Sequence, residues 1–359
     1  MNPVSLFDLE KMAKQVMPHN SWEFVDAASG DEITKRRNRT AFEDITINPN
    51  FLIDVGNRDL SVEVLGEKIA FPIMVAPAGG QRAVHPDGEQ ATARAAGSVG
   101  TLYTLPTSSG YSIEEVAEVA TGPLWFQIYH FNDLVTELLV TRAKAAGYKA
   151  ICLTIDTPIG SPKERDVRND MVRRPGQFWG SLRDRPDLAA LREVGIPDMA
   201  DWSPPGYAGL TWDRLGWLKD LTDLPLIIKG VRTVGDAIQA AEHGADAVVV
   251  SNHGGRQLDG TRSSIETLPE IASAVGDRLE IFLDSGIRRG LDVLKAIALG
   301  ARAVLIGRPL FWGLAVNGEA GVRTVLDILR VEFDRAMAYC GRTCIADIDR
   351  GLVNLPSEL

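Results

Sequence analysis

The chain alternates between two hydrophobic rhythms, and it does so eight times. Short apolar runs rich in β-branched residues recur at 71–76, 101–105, 124–129, 150–156, 224–230, 247–253, 280–286 and 303–309. Runs this short and this continuously apolar, bounded by Gly, Pro and polar residues, read as strands buried on both faces, as in a parallel sheet. Between most of them lie stretches with helical spacing, at 87–99, 113–119, 133–146, 234–243, 264–275 and 290–299. A parallel strand reaches its neighbour only through a crossover, most often a helix. Eight alternations therefore predict a (β/α)8 TIM barrel ringed by helices. An open doubly wound sheet is the competing architecture; the count of eight, and polar residues recurring at the strand ends, favour the barrel.

A chain of 359 residues suits one such domain with attachments. Residues 1–70 read as a helical N-terminal extension with a short β segment near 61–69. The barrel spans 71–330, interrupted after the fourth strand by a lid-like loop at 157–210, and 331–359 read as a C-terminal helical tail. A net charge of -10 and a pI near 5.1 speak against nucleic acid as a partner. No apolar run approaches the roughly 20 residues of a membrane span. The first twenty residues mix Asp8, Glu10, Lys11 and Lys14 with Leu6, Phe7, Leu9 and Met12, an amphipathic helix rather than a secretory leader. Cys152, Cys340 and Cys344 form neither a disulfide framework nor a metal-ligand spacing, so a cytoplasmic, metal-free protein is expected. The final Ser-Glu-Leu is not the peroxisomal tripeptide.

Parallel barrels build their sites at the carboxyl ends of the strands. The sixth run leads into Ser251-Asn252-His253-Gly254-Gly255-Arg256, which sets a proton acceptor and an anion-binding guanidinium at one strand end. The bland alternative is a turn with a hydrogen-bonded His and a solvated Arg. The seventh run ends in Asp284-Ser285-Gly286-Ile287-Arg288 and the eighth in Ile306-Gly307-Arg308-Pro309. Glycine loops with arginines after strands seven and eight suit a phosphate, of a substrate or of a cofactor. Their alternative is two ordinary turns with surface arginines. Gln127 and Tyr129 share one face of the third run, as do Thr154 and Asp156 on the fourth, and Lys229 ends the fifth. An Asp beside His253 would orient the ring and raise its basicity, and a Lys beside a flat cofactor would stabilise developing negative charge.

The chain resembles the FMN-dependent 2-hydroxy acid oxidases and dehydrogenases over nearly its whole length. The resemblance rests on Ala76-Pro77-Ala78-Gly79, His85-Pro86-Asp87-Gly88-Glu89, Phe126-Gln127-Ile128-Tyr129, Thr154-Ile155-Asp156-Thr157-Pro158, Ser251-Asn252-His253-Gly254 and Asp284 to Gly290, in family order and spacing. It implies that FMN lies across the barrel mouth, its phosphate held by the Arg288 and Gly307-Arg308 loops, and that Ser251, Asp284 and Gly286 also bind the cofactor. It implies that Pro77, Ala78 and Gly79 back the flavin ring, that Gln127 and Thr154 touch it, and that Lys229 sits at its N1 and O2 edge. His253, paired with Asp156, is then the base, Arg256 holds the substrate carboxylate and Tyr129 contacts the substrate. The substrate C2 loses two electrons to flavin N5 and a 2-oxo acid results. Oxygen is the expected acceptor, since no haem domain or other electron carrier is fused, and family resemblance implies a homotetramer.

Three positions depart from the family pattern. Phe24 stands where a Tyr hydroxyl usually bonds the carboxylate, Lys163 where a second carboxylate-binding Arg is usual, and Pro106 where a Ser usually contacts flavin. Lys keeps the charge but loses the planar fork. The clamp is thus expected to serve either an ordinary hydroxy acid in relaxed geometry or a larger, aromatic or carboxylate-free substrate of a tailoring oxidase. A non-redox FMN isomerase and a non-catalytic binding protein are the remaining alternatives.

Overall fold

The computed structural model describes residues 3–161, 163–169, 176–182 and 208–356. Eight strands close into a barrel: β1 (Ile73–Val75), β2 (Tyr103–Pro106), β3 (Leu124–Ile128), β4 (Ile151–Thr154), β5 (Leu226–Val231), β6 (Ala247–Val250), β7 (Glu280–Leu283) and β8 (Ala303–Ile306). Neighbours pair in chain order and in parallel, and β8 closes on β1 with Val304 opposite Ile73. Each expected run overlaps one strand, with β2 and β5 extending one residue beyond theirs. Several runs overshoot at their carboxyl ends, because the polar residues there leave the ladder to form the mouth of the barrel.

The barrel interior is apolar at its centre, where Met74, Trp125, Cys152, Ile227, Val249, Phe282 and Leu305 form one buried cluster. The Trp125 and Phe282 rings meet at 5.4 Å between centroids. A hairpin, Val62–Val64 paired with Glu67–Ile69, adds Val62, Val64 and Ile69 to that cluster, and its turn donates from the Leu65 amide to Glu280, the first residue of β7. The hairpin thereby stoppers the amino-terminal end. Strand side chains alternate, so the residue two beyond each interior position points the same way. Trp125 leads to Gln127, Cys152 to Thr154, Ile227 to Lys229, Val249 to Ser251 and Phe282 to Asp284. All five are buried. An apolar floor thus carries a polar layer above it, at the end of the barrel where parallel folds do chemistry.

Each strand is followed by a helix of the outer ring, including Gly88–Ser98, Ile113–Val119, Ser264–Val275 and Gly290–Ala298. Ser112 with Glu115 and Ser263 with Glu266 close capping boxes that satisfy otherwise orphaned first-turn amides. The ring helix after β4, Asp213–Asp220, has no counterpart among the helical stretches read from sequence. The expected helical tail at 331–359 is corrected. Residues 331–339 belong to the long helix Arg308–Tyr339, which is interrupted at Asn317 and Gly318. Beyond Tyr339 come two 3-10 turns and a short strand, Val353–Asn354, antiparallel to Thr46–Ile47.

The N-terminal extension folds as three helices, Leu6–Val16, His19–Asp26 and Ile33–Glu43, the first with Leu6, Leu9 and Ala13 buried as its amphipathic pattern requires. Its first helix packs against the long helix Arg308–Tyr339, while its third reaches over the strand ends to the turn that carries His253. Asn38 and Asn252, both buried, exchange side-chain amide hydrogen bonds of 2.9 and 2.7 Å, and the Ser29 amide donates to the Gly255 carbonyl at 2.9 Å. Of the loop at 157–210, Arg173, Arg174, Arg183, Asp184, Arg185 and 203–206 lie outside the described residues, as does the terminal tripeptide. Among the described residues no helix is long and apolar enough to cross a membrane, and no cluster of His, Cys, Asp and Glu has metal-site geometry.

Candidate active site

The polar layer opens into a cleft lined from both the barrel and the N-terminal extension. Pro77, Ala78, Gly79, Gln127, Tyr129, Lys229, His253, Arg256, Asp284, Gly286, Arg288, Gly307 and Arg308 line it, and so do Phe24 and Lys163. Asp156, Thr154 and Ser251 sit directly behind that wall. Asp156 accepts from His253, Thr154 accepts from Gln127 Nε2 at 3.0 Å, and Ser251 accepts from Lys229 Nζ at 3.0 Å and from the His253 amide at 3.1 Å.

His253 adopts φ +57° directly after β6, a conformation unusual for a residue with a side chain. Gly254 and Gly255 follow at +67° and +76°. Their missing side chains matter. A Cβ at Gly254 would lie 2.8 Å from Arg308 Nη1, and one at Gly255 would lie 2.8 Å from the Lys35 amide nitrogen. The glycines let the extension and Arg308 close down on the loop that carries the base. The His253 ring then places Nδ1 2.9 Å from Asp156 Oδ1, which leaves Nε2 to serve the cleft.

The charges balance around this pair. Burial pushes the His253 imidazole below its ordinary pKa, Asp156 opposes that, and the Lys229 ammonium adds to the downward push. Burial also works against the Asp156 carboxylate, but His253 and Lys229 outweigh it and hold its pKa below the ordinary value. Among the described residues Asp156 Oδ2 is buried without a hydrogen-bond partner, an energetic cost borne beside His253. Lys229 is buried yet held protonated. Desolvation disfavours its charge, and Asp284, 3.0 Å from Nζ, together with Asp156 more than restores it. Burial and then Asp156 push the Tyr129 hydroxyl up to about 12, so it stays a neutral donor.

Arg256 and Arg308 are both fastened to the end of the helix His19–Asp26. The last carbonyls of a helix lack intrahelical donors, and guanidinium groups satisfy them well. Arg256 Nη1 donates to Phe24 O at 2.9 Å and Ala27 O at 2.7 Å. Arg308 donates to Val25 O at 3.1 Å, Ala27 O at 3.1 Å and Gly254 O at 2.8 Å. The Arg256 guanidinium also lies 5.5 Å over the Phe24 ring, which itself meets Phe178 edge-on at 5.9 Å. Arg288 donates to Ile287 O at 2.8 Å and stacks 4.8 Å over Trp312. Burial lowers Arg288 to about 10 against the pull of Glu10, and burial together with Arg256 and Arg288 lowers Arg308 to about 9. Among the described residues no carboxylate pairs with either. Two recessed cations thus face the start of the helix Arg308–Tyr339, where Gly307 leaves open space.

Sequence patterns do not point to several contributors. The carbonyls of Phe24, Val25 and Ala27 carry no residue signature at all. Phe178 and Trp179 come from the long loop with no strand or helix to announce them. Ser108 is the residue a Cβ on Gly79 would strike, at 1.9 Å from its Oγ, and only the hydroxyl-rich turn after β2 hints at it. Pro106, expected at the flavin, does line the cleft.

Known proteins match this arrangement. The description "FMN-dependent dehydrogenase" covers residues 13–355. The chain belongs to the FMN-dependent dehydrogenase family. It is 44% identical to an L-lactate oxidase of Nostoc sp. over 99% of both chains, and 43% identical to glycolate oxidase 1 of Oryza sativa subsp. indica over 96% of this chain and 94% of that one. A crystal structure of mandelate oxidase superposes with a TM-score of 0.88 at 40% identity, covering 98% of each chain.

The residues present fit FMN. Arg288, Arg308, the open Gly307 and a helix start offer a dianion what the cations there lack. Pro77 to Gly79 give one wall free of bulky side chains, with Gly79 held to glycine by Ser108. Lys229 supplies a fixed positive charge below it. Replacing Arg288 with Leu is expected to weaken FMN binding about 10- to 100-fold, the worth of one charge-assisted hydrogen bond. Titration of the stripped protein with FMN, followed by flavin fluorescence, measures this; unchanged affinity would remove Arg288 from the phosphate cradle.

Proposed function

We propose that this family member oxidises the C2 hydroxyl of a 2-hydroxy acid to the 2-oxo acid, and that its substrate carries a large apolar or aromatic group. The observation that carries the reading is the His253 imidazole, backed by Asp156 at 2.9 Å, in one cleft with the Arg256 guanidinium. A base beside an anion clamp is what deprotonation next to a carboxylate requires. FMN, when bound, supplies the two-electron sink, and oxygen restores it, as in the oxidases this chain is similar to.

The chain's own groups do the rest. Arg256 and Lys163 neutralise the substrate carboxylate and turn C2 toward the flavin wall. His253 Nε2 accepts the proton, and Asp156 stabilises the imidazolium that forms. The Lys229 charge favours negative charge gathering above it, and the Tyr129 hydroxyl donates to the reacting oxygen. Phe24, Phe178, Trp179 and Ile159 make the substrate side of the cleft apolar. Phe24 offers Arg256 an aromatic face rather than the substrate a hydroxyl. Lys163, whose Nζ donates to Ser161 O at 3.0 Å, brings charge without a fork. Recognition therefore shifts from the carboxylate toward the side chain. A single-substitution variant of mandelate oxidase has been crystallised with 2-hydroxy-phenylacetamide, which keeps carboxylate-free analogues among the substrates worth testing.

We further propose a cytoplasmic homo-oligomer, a tetramer. Three free thiols suit a reducing compartment, and exposed Phe51, Leu52 and Tyr339 offer apolar surface for association. Sedimentation at the mass of one chain would end that part of the reading.

Anaerobic mixing with a panel of lactate, glycolate, mandelate and mandelamide decides the substrate class. Bleaching of the flavin is expected to be fastest with mandelate. Phe24→Tyr together with Lys163→Arg is expected to raise kcat/KM for lactate at least about tenfold, since a hydrogen bond to a charged group contributes about 1.5–3 kcal/mol. No bleaching with any member of the panel would sink the reading.

The pH profile tests the base. His253 works only when neutral, and its pKa is lowered, so kcat/KM should hold steady down through neutrality. It should fall only below the ordinary histidine value of about 6.5. Asp156→Asn removes the carboxylate that favours the imidazolium. Its acid limb should move to still lower pH while kcat drops about 10²–10⁴-fold. An acid limb above the ordinary histidine value would contradict the assignment.

A further inference from the structure

The loop that follows β4 begins with a short helix, Glu164–Arg168, that buries no residue. Apolar contact cannot hold it, yet it starts next to Lys163 at the cleft. Polar contacts hold it instead, and they converge on one residue. Arg165 Nε bonds Glu23, while its Nη1 lies 2.8 Å from Asp26 and 3.2 Å from Glu32. Lys35 joins the group at 2.9 Å from Asp26 and 3.4 Å from Glu32. Two cations and three carboxylates thus share a recessed cluster. Glu23, Asp26 and Glu32 are 12%, 16% and 21% exposed, well below the exposure at which surface pairs lose their worth to solvent. Its neighbours brace the same junction. Asn169 reaches His19 at 3.0 Å, and Ser161 Oγ lies 2.6 Å from Ser29 Oγ.

Glu23 and Asp26 belong to the helix His19–Asp26. That helix carries Phe24, and the carbonyls at its end hold Arg256 and Arg308. Its side chains and its terminal carbonyls are therefore gripped by two different sets of arginines, one from the loop and one from the barrel. We propose that Arg165 is a positioning residue for substrate selectivity: by gathering Glu23, Asp26 and Glu32 it locks Lys163 and the loop start against the helix that presents Phe24 and anchors Arg256. Arginine suits the task because a planar fork addresses carboxylates on separate edges, which an ammonium does not do with fixed geometry. The proposal rests on the hydroxy acid reading, and it adds a residue that touches neither substrate nor flavin.

The test uses the FMN-loaded full chain. Arg165→Leu is expected to raise KM for lactate and mandelate about tenfold and to shrink the ratio of their kcat/KM values. Its flavin absorption spectrum and its kcat should stay within about twofold of the parent. Arg165→Lys should fall between the two. Benzoylformate binding, read from the change in flavin absorption, should weaken in parallel and gives a measure independent of turnover. If Arg165→Leu fails to fold, Asp26→Asn and Glu23→Gln each remove one leg of the cluster and should raise KM severalfold. Unchanged KM, selectivity and benzoylformate affinity in folded variants would overturn the proposal. So would a loss of FMN with proportionate loss of kcat at constant KM, the mark of mere structural support. A parent enzyme inert toward the whole panel counts against the hydroxy acid reading; an active parent with an unaltered Arg165→Leu counts against Arg165 alone.

Discussion

Arg256 and Arg308 are fixed by a helix that is not part of the barrel. Strand ends deliver these cations to the mouth, but long side chains delivered to a mouth are free to sweep it. The carbonyls of Phe24, Val25 and Ala27 remove that freedom. Ordering a rotamer-rich side chain costs up to about 2 kcal/mol, and here folding bears the cost rather than ligand binding. The N-terminal extension is thus as much a wall of the site as any strand. The Asn38–Asn252 exchange matters for the same reason, since it ties that wall to the loop carrying His253.

The second constraint is charge neutrality in a low-dielectric layer. Lys229, Asp156 and His253 share one buried layer with Asp284, and neighbouring charge decides how each of the three is held. The lysine is charged because two carboxylates face it, and the histidine is neutral because burial and that lysine outweigh its carboxylate. The arrangement leaves the imidazole as the group best able to take up a proton, with its counter-charge already in place. At the phosphate end the logic is reversed. Among the described residues Arg288 and Arg308 form no direct ion pair with a carboxylate, and Glu10, Asp26 and Glu32 act on them only from a distance, so an anion is the natural complement of the cradle.

How much of this is legible in the residues follows from where the information resides. The eight strands are legible because both faces of a parallel strand must be apolar, and that requirement writes itself into consecutive residues such as Ala247 to Val250. Gln127, Thr154, Lys229, His253 and Arg308 are legible because a polar residue that ends such a run stands at the mouth of the barrel, where the site is built. The helix Asp213–Asp220 is not, since its alternation of Leu215, Trp217 and Leu218 with charges is too short to stand out. Nor is the end of the long helix, which runs through the boundary drawn at 330 and stops at Tyr339. The arginine grips are invisible for a deeper reason. Main-chain carbonyls have no sequence identity, and Arg165 meets Glu23 only once residues 142 positions apart in the chain have been brought together.

That last contact bears on how such a site changes its substrate. The catalytic layer lies on strands whose register is set by pairing on both sides, so none of its members moves without moving the barrel. Phe24, Lys163, Phe178 and Arg165 sit on the extension and on the loop after β4, joined to each other mainly by ion pairs and ring contacts. Substitution there alters the shape and charge of the outer half of the cleft at little cost to the inner half. Replacing a hydroxyl and a guanidinium by a phenyl ring and an ammonium is such a change. It leaves the contacts of His253 with Asp156 and of Lys229 with Asp284 untouched. Apolar contact on that outer half is tolerant of shape, whereas paired hydrogen bonds are not.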